Sequence, residues 1–295
     1  FEVFQATWRY PDWRGSLGTA FHFVFDGADD SAGKSLVKDI YEWANELKKE
    51  IWVFSHGNWS KDSDLYETVQ AASWFDVVHE PGFVEALKSD TETFFASEKV
   101  YAAIGVTWKR GILLLGPPGN GKTQTIECLL KDLLAQDISP LYVKNFKTDR
   151  DEEWGIRAIF EKAREEAPCV LVLEDLDAMV RPRVRSYFLN ELDGLARNHG
   201  ILTIATTNHP EKIDDAILRR PSRFDQKYTF ALPSLALRQE YVRIWIAKVT
   251  TQGGFGFRSG ADVLSKEVAE KTEEWSFAFL KELFVSFLLR SATDR

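Results

Sequence analysis

The residues with the clearest chemical potential form the run GPPGNGKT at positions 116–123. This run fits the phosphate-binding pattern G-x-x-x-x-G-K-[ST] at every fixed position. Glycines let the backbone turn closely around an anion, so that successive N–H groups point at phosphate oxygens. The Lys122 ammonium supplies a point charge for the terminal phosphates, and the Thr123 hydroxyl suits a Mg²⁺ ligand. The pattern predicts nucleotide contacts along the whole loop, at Gly116, Pro117, Pro118, Gly119, Asn120, Gly121, Lys122, Thr123 and Gln124.

The flanking residues predict the elements that such a loop needs. Residues 112–115 are all apolar and indicate a buried strand, and residues 123–135 have helical spacing. A helix that begins at the loop adds partial positive charge toward a bound phosphate. A glycine-proline turn with a chance lysine is the alternative, and the agreement of strand, loop and helix disfavours it.

A second group of candidate residues ends a later apolar run. Residues 169–173 predict a buried strand, and Glu174 and Asp175 follow it. Hydrolysis of a nucleoside triphosphate needs one carboxylate near Mg²⁺ and another that orients and deprotonates the attacking water. Because alternate residues of a strand point in different directions, an adjacent pair can serve both roles. A solvated acidic turn is the alternative interpretation.

Two further polar segments are weaker signals on their own. Asn208 closes the run Thr206-Thr207-Asn208 at the end of the predicted strand 201–206, where its amide can hydrogen-bond an attacking water or a γ-phosphate. Arg220 and Arg223 lie in the run LRRPSRFD, and arginines from a neighbouring subunit can neutralise charge in phosphoryl transfer. Taken alone, the first segment also fits an ordinary strand end, and the second fits a solvated basic turn.

The composition of the 295 residues is ordinary for a soluble globular protein with room for roughly two domains. A formal net charge of -8 argues against a broad nucleic-acid footprint. The two cysteines, Cys128 and Cys169, lie in apolar runs and indicate buried thiols in a reducing, intracellular compartment. No apolar run approaches the ~18 residues of a membrane helix. The chain begins at Phe1 and not at methionine, so the sequence leaves the compartment open.

Apolar patterns divide the chain into three expected domains, at residues 1–65, 66–232 and 233–295. The first is a small α/β unit, the second alternates helices with parallel strands, and the third is helical. The expected strands are 1–10, 20–25, 51–54, 112–115, 141–144, 169–173, 201–206 and 227–230, with a loop at 56–62. The expected helices are 35–49, 83–95, 123–135, 235–249, 261–271 and 276–289.

From Trp74 to the end, the chain resembles the AAA family of ATPases in the narrow sense. The matching segments occur in the family's order and are GPPGNGKT, LVLEDLD, LDGL, ATTNHPEKID and LRRPSRFD. The resemblance implies a P-loop NTPase fold of the α/β class, with helices on both faces of a parallel sheet. A small helical lid domain follows this large domain, and residues 1–65 are an extra α/β domain.

The resemblance assigns roles to the residues that match the family's motifs. Lys122 and Thr123 bind phosphate and Mg²⁺, with Glu174 on the metal side. Asp175 activates the attacking water, and Asn208 matches the residue known in the family as sensor 1.

Other roles implied by the resemblance concern the base and the neighbouring subunit. Arg220 and Arg223 match arginine fingers that act on the neighbour's ATP. Residues 193–195 match the segment that reports nucleotide state between subunits. Asp76 and Val77 lie where the family's adenine-contacting segment usually lies.

One departure concerns the acidic pair, because most of the family has Asp-Glu where this chain has Glu174-Asp175. Aspartate is one methylene shorter than glutamate, so the attacking water must lie closer or the strand must shift. Hydrolysis is then expected to be slower. The reversed order and the run WKRGILLLGPPGNGKT are also similar to the cytochrome bc-complex assembly chaperone subgroup and related fungal and plant ATPases.

A second departure concerns the central-pore loop, where threading members of the family carry an aromatic-hydrophobic pair. The corresponding positions here are polar, and the nearest aromatics, Phe146 and Trp154, are off register. Vigorous polypeptide threading is therefore not expected. A basic triplet, at Arg181, Arg183 and Arg185, is the one segment that would suit an anionic client, and a solvated loop explains it equally well. The polar grip positions are Lys147, Thr148 and Asp149.

The sequence thus predicts a Mg²⁺-dependent ATPase that binds ATP and ADP between the subunits of a homo-oligomeric ring, expected to be a hexamer. The ring would remodel or chaperone a protein client, with residues 1–65 as adaptor or client-recognition domain. Nucleic acid is not an expected partner. Two alternatives stay open, a nucleotide-gated assembly scaffold with weak hydrolysis and a nucleic-acid-dependent motor.

Overall fold

The computed structural model describes residues 2–9, 17–24, 29–194, 198–220, 222–251 and 255–293. The chain divides into two compact units, Phe1–Lys48 (unit 1) and Lys49–Arg295 (unit 2). Leu195 of the predicted intersubunit segment lies outside the described residues, as do the outer ends of the predicted strands at 1–10 and 20–25.

Unit 1 contains an antiparallel hairpin and one helix. Strands β1 (Glu2–Arg9) and β2 (Leu17–Val24) pair from Glu2↔Val24 to Arg9↔Leu17. Helix α1 (Ser31–Asn45) begins and ends earlier than the predicted helix at 35–49. Its early start follows from Asp29, whose carboxylate accepts hydrogen bonds from the backbone N–H and the hydroxyl of Ser31.

Unit 2 is built around a seven-stranded sheet. Its strands are β3 (Ile51–Ser55), β4 (Asn58–Asp62), β5 (Lys109–Leu115), β6 (Ser139–Val143), β7 (Cys169–Leu173), β8 (Ile201–Thr207) and β9 (Gln226–Thr229). They lie in the order β4-β3-β6-β7-β8-β5-β9. Neighbours are parallel except for the β3–β4 hairpin at one edge.

The helices of unit 2 connect these strands and then close the chain. They are α2 (Ser63–Ala71), α3 (Phe83–Ala96), α4 (Glu98–Ala103), α5 (Lys122–Leu134), α6 (Glu152–Glu165), α7 (Leu176–Met179), α8 (Pro182–Asp193), α9 (Asp215–Leu218), α10 (Leu235–Thr251), α11 (Ala261–Lys271) and α12 (Phe277–Thr293). Within the described residues, no helix combines the length and the apolar character needed to cross a membrane.

The β3–β4 hairpin differs from the prediction, which had a loop at 56–62 and a domain boundary at residue 65. The hairpin joins the central sheet, with Trp52 of β3 paired in parallel with Leu141 of β6, so the compact unit begins at Lys49. His56 and Gly57 both have positive φ, which suits a tight two-residue hairpin turn. The polar edge strand β4 lacks the apolar alternation that would have predicted it.

Two apolar clusters stabilise unit 2. The first, the main apolar cluster, includes Val170 and Val172 of β7 and Leu202 and Ile204 of β8. All residues of these two strands are buried, as expected of central parallel strands covered on both faces. The second cluster joins the three C-terminal helices and includes Leu237, Val242, Ile246, Leu280 and Phe284. Val78, from the segment before α3, packs into this second cluster. The C-terminal helices thus share a core with the segment between α2 and α3.

Candidate nucleotide site

The topology of the sheet brings three separated sequence segments to one edge. Strands β7, β8 and β5 are neighbours and parallel, with Leu173 opposite Ala205 and Leu115 opposite Thr207. Because carboxyl ends of parallel strands meet at the same edge, the segments that follow these strands converge. Those segments are the phosphate loop after β5, the acidic pair after β7 and Asn208 after β8.

The phosphate loop is shaped by its glycines and held by its lysine. Gly116 has a φ of 144°, and a Cβ there would collide with the carbonyl oxygen of Phe230. The Lys122 ammonium donates to the carbonyl oxygens of Gly116, at 2.6 Å, and of Pro117, at 3.0 Å. Burial lowers the pKa of Lys122, while the nearby carboxylates led by Asp175 act to raise it. The cation therefore lies inside the loop, facing the acidic pair.

Glu174 is held at both of its carboxylate oxygens. The Thr123 hydroxyl donates to Oε1 at 2.8 Å, and the Tyr142 hydroxyl donates to Oε2. Burial and the charge of Glu174 raise the pKa of Tyr142 above its ordinary value, so this phenol stays protonated and remains a donor. The two residues predicted to hold Mg²⁺, Thr123 and Glu174, are thus in direct contact.

Asp175 occupies a left-handed backbone conformation, with φ 52° and ψ 51°. Its N–H donates to the Thr206 hydroxyl at 3.0 Å, and its Oδ1 accepts from Asn208 Nδ2 at 2.9 Å. Aspartate and asparagine tolerate this conformation better than most residues, because their short polar side chains can bond locally. The Glu-Asp order therefore has a backbone reason, since the second position favours the shorter acid.

These residues surround a single cavity of about 290 Å³. Its lining is Pro118, Gly119, Gly121, Lys122, Thr123, Gln124, Glu174, Asp175, Thr206 and Asn208. Nine of these ten residues belong to the predicted set, and Thr206 is the addition. The arrangement can hold anionic phosphates at the loop, with a cation ligand pair on one side and a carboxylate-amide pair on the other.

A second cavity of about 150 Å³, the candidate base pocket, adjoins the loop. Its lining is Asp76, Val77, Val78, His79, Gly119, Asn120, Gly121, Gln124, Tyr241, Phe277, Ala278 and Lys281. Asn120 is 1% exposed, and both polar atoms of its amide lack a hydrogen-bond partner within the described residues. Asp76 forms an ion pair with Lys248. Buried, unpartnered donor and acceptor atoms beside aromatic rings fit the edge and face of a nucleobase.

The C-terminal helices contact the phosphate loop directly. The Ala278 N–H, at the start of α12, donates to the Gly119 carbonyl at 3.0 Å. Gly119 has a φ of 79°, and a Cβ there would lie 2.7 Å from Ala278 Cβ. This close approach requires glycine, and it couples the position of the helical region to the conformation of the loop.

His79 is a half-buried titratable group that lines this second cavity. Its ring stacks on Phe83 and meets Phe230 edge-on, and its Nε2 is buried without a partner in the described residues. Burial lowers the pKa of His79 from 6.5 to about 4. The imidazole is therefore neutral at neutral pH.

This depressed pKa predicts an acid-sensitive contribution to stability. Between pH 6.5 and about 4, the unfolded chain binds a proton that the folded chain excludes, so stability falls as the pH falls through this window. His79→Phe should lower the difference between melting temperatures at pH 7.5 and pH 5 by a few degrees. A difference in His79→Phe that stays at the value of the parent would contradict the assignment.

The arginine segment lies at the amino ends of the parallel strands, opposite to the carboxyl ends that carry the phosphate loop. It immediately precedes β9, and the Gly111 N–H, near the start of β5, donates to Asp225 Oδ1 at 3.1 Å. Gly116 follows Gly111 by five steps along the strand, or about 16 Å. Arg220 is exposed, whereas Arg223 is 6% exposed. The structure therefore does not bring the two arginines to the phosphate loop of their own chain.

Asp193 organises this second face. Arg223 donates to both Asp193 oxygens, at 3.1 and 2.8 Å, and Arg220 approaches one of them at 3.4 Å. Burial acts to raise the pKa of Asp193, but the hydrogen bond and charge of Arg223 outweigh it and hold that pKa below its usual value. The predicted signalling residue and the predicted arginines thus form one cluster.

The other predicted segments have ordinary structural partners. Arg183 pairs with Glu152, and Arg185 pairs with Asp214. Phe146 is buried and packs against Phe188 in the core. In the described part of the chain, no group of three His, Cys, Asp or Glu side chains is placed to hold a metal ion.

Several residues of the site had no signal in the sequence. Tyr142 and His79 had the character of ordinary strand or loop residues, and the lining residues of α10 and α12 are far away in the chain. Thr206 lies in the matching segment ATTNHPEKID, but no role was predicted for it. Only the strand register could have pointed to Tyr142, because β6 is the neighbour of β7.

The fold and the site together define a P-loop nucleoside triphosphatase domain. Residues 112–232 match the family described as "ATPase family associated with various cellular activities (AAA)". The chain contains an AAA ATPase domain, and domains of this family use ATP and Mg²⁺. The predicted family and fold class are confirmed, while the narrower chaperone subgroup stays a prediction.

Named relatives also match this chain. The chain is 30% identical over 233 residues to the ATP-dependent zinc metalloprotease FtsH of Marinobacter nauticus, covering 72% of this chain and 35% of that protein. It is 31% identical over 229 residues to the ATPase family gene 2 protein of Saccharomyces cerevisiae, covering 73% and 28%. It is 29% identical over 211 residues to the ATP-dependent zinc metalloprotease YME1 homolog of Caenorhabditis elegans, covering 66% and 27%. The chain thus spans about a third or less of the length of these relatives.

Proposed function

We propose that this chain hydrolyses ATP with Mg²⁺ as a subunit of a homo-oligomeric ring and uses the cycle to remodel a protein client. The main observation in support of this proposal is that five predicted residues line one cavity. They are Lys122, Thr123, Glu174, Asp175 and Asn208. The AAA match of residues 112–232 and the ATP-dependent relatives support the same activity.

In the proposed reaction, water attacks the γ-phosphate in line, and the bond to the β-phosphate oxygen breaks. Asp175 orients the water and accepts its proton, and Asn208 holds the Asp175 carboxylate in place. Lys122 and the backbone N–H groups of the loop bind the phosphates. Thr123 and Glu174 would hold Mg²⁺, which when bound neutralises charge on the phosphate oxygens.

A second copy of the chain is needed to complete this site. Arg220 lies at the sheet edge opposite the phosphate loop, so it can reach a γ-phosphate only on another subunit. An interface between two different faces of the same chain is head-to-tail, and it closes into a ring when the rotation permits. The number six for this ring rests on the family resemblance alone.

The shared site can be tested by mixing two inactive variants. Asp175→Asn removes the base, and Arg220→Ala removes the arginine supplied to the neighbour. In an equal mixture, an Arg220→Ala subunit whose neighbour is Asp175→Asn has a complete site. If sites act independently, up to about a quarter of the parent ATP turnover should return.

The control mixture combines Asp175→Asn with Lys122→Ala, whose defects lie on the same side of the interface. No complete site can form in it, so turnover should stay at the level of either variant alone. Equal recovery in both mixtures would contradict the shared site. A parent that hydrolyses no faster than Asp175→Asn would instead favour the nucleotide-gated scaffold.

A protein client is proposed over a nucleic acid for two reasons. The net charge is -8, and two arginines of the basic triplet are already paired with carboxylates, Arg183 with Glu152 and Arg185 with Asp214. ATPase stimulation by DNA or RNA that falls steeply with salt would reverse this preference.

The remaining parts of the proposal concern the client and the compartment. We propose unit 1 as the adaptor or client-recognition part. The polar positions Lys147 to Asp149 and the burial of Phe146 argue against strong gripping of a threaded polypeptide. Both cysteines are free and buried, which supports a reducing compartment within the cell.

A further inference from the structure

We propose that Tyr142 is a positioning residue that fixes Glu174 against Thr123 for a divalent cation. This inference rests on the proposed function, because it concerns the same site. Neither the phosphate-loop pattern nor the acidic pair includes Tyr142. The proposal starts from its hydrogen bond to Glu174 Oε2, while Thr123 holds Oε1.

The strand register explains how a residue from β6 reaches the acidic pair. Tyr142 lies opposite Val172 on β7, two residues before Glu174. A tyrosine near the carboxyl end of a strand is long enough to place its hydroxyl beside the residue that follows the neighbouring strand. The ring of Tyr142 packs against the main apolar cluster, which anchors the hydroxyl. The donor is therefore fixed before any ligand binds.

Glu174 needs such a partner more than an aspartate would. Glutamate has one more rotatable bond, so a carboxylate held at one oxygen could still rotate away from Thr123. Within the described residues, Tyr142 is the one hydrogen-bond donor to Oε2. The hydroxyl thus compensates for the longer acid at the metal side of the reversed pair.

A second carboxyl group near the site makes the orientation of the Glu174 carboxylate important. Glu127 lies one helical turn after Thr123 on α5, and burial together with the charge of Glu174 raises its pKa. The negative charge of Glu174 therefore acts on Glu127, and the bond to Tyr142 holds the Glu174 carboxylate toward Thr123. Partners that orient a ligating carboxylate commonly affect metal affinity by about 10- to 100-fold.

The test is Tyr142→Phe, which removes the hydroxyl and retains the packed ring. The chain offers a matched control in Tyr228→Phe, because the Tyr228 hydroxyl also donates to a carboxylate, that of Asp90. The probe is the fluorescent nucleotide mant-ATP, titrated against the full chain across a series of Mg²⁺ concentrations and in EDTA. Steady-state ATP turnover is measured over the same Mg²⁺ series.

Tyr142→Phe should raise the Mg²⁺ concentration at half-saturation by about tenfold, in binding and in turnover alike. Its affinity for mant-ATP in EDTA should stay close to that of the parent. Tyr228→Phe should leave the Mg²⁺ dependence unchanged. The binding readout does not require hydrolysis, so a parent that binds in a Mg²⁺-dependent way without turnover would refute the proposed function and still test Tyr142.

Three outcomes would overturn the role of Tyr142. An unchanged Mg²⁺ half-saturation in Tyr142→Phe would show that the hydroxyl does not position the cation ligand. An equal loss of mant-ATP affinity with and without Mg²⁺, accompanied by a lower melting temperature, would show a structural role only. A parent whose binding of mant-ATP does not depend on Mg²⁺ would also refute it.

Discussion

Replacing Asp175 by asparagine should lower ATP turnover by about 100-fold or more, because a positioned general base contributes 10²–10⁴-fold. Asparagine also tolerates the left-handed backbone at this position, and its side-chain oxygen can still accept from Asn208 Nδ2 at the observed 2.9 Å. The fold and the binding of nucleotide should therefore survive. The measurement is steady-state phosphate release, paired with mant-ATP affinity in Mg²⁺.

Asp177→Asn is the matched control for this prediction. It makes the same chemical change two residues later, at a carboxylate that accepts from the Thr207 hydroxyl at 2.7 Å and does not line the phosphate cavity. Its turnover should stay within a few-fold of the parent. If Asp177→Asn were the more damaging change, the base would have to be reassigned.

Arg220→Ala should also lower turnover by about 100-fold or more, since an arginine supplied from a neighbour can contribute 10³–10⁵-fold. Arg220 is the better probe of the two predicted arginines, because it is exposed while Arg223 is buried against Asp193. Removing Arg223 would leave the half-buried Asp193 carboxylate without its main partner. A loss of turnover in that variant could then not be separated from a loss of stability. The melting temperature of Arg220→Ala should stay near that of the parent.

Arg219→Ala is the control for the neighbour's arginine. Arg219 is also exposed and forms a surface ion pair with Asp215, one helical turn away, so its loss should cost little. Turnover of Arg219→Ala near the parent, together with a large loss in Arg220→Ala, is the expected result. Equal losses in the two variants would indicate a general effect of positive charge and would remove the case for a specific finger.

Much of the fold could be predicted because its strands are apolar runs bounded by clear turns. The predicted strand at 169–173 and helix at 261–271 coincide with β7 and α11. Strand β4 was missed because a polar edge strand has no apolar alternation. The boundary predicted at residue 65 has the same origin, because without β4 nothing in the sequence linked residues 51–62 to the central sheet. In the structure, the β3–β4 hairpin joins that sheet through β6.

The residues of the candidate site also divide into those with a local sequence pattern and those without one. The phosphate loop, the acidic pair and Asn208 each carry a local pattern, and the structure brings them around one cavity. Tyr142 and His79 carry no such pattern, because their relevance depends on which strand lies beside β7 and on what covers the base pocket. A reversed acidic pair suggested slower chemistry from side-chain length alone, whereas the left-handed backbone at Asp175 supplies a positive reason for aspartate there.

The sequence by itself determined the phosphate loop, the family and the residue types available for hydrolysis, since these depend on the order of neighbouring residues. Only the tertiary structure decided which of them share a site. Parallel pairing of β5, β7 and β8 places the phosphate loop and the acidic pair together at the carboxyl ends of these strands. The pairing of β9 with β5 leaves Arg220, which precedes β9, at the amino ends of the strands. Register and strand order arise from contacts between residues far apart in the chain, and no local pattern encodes them.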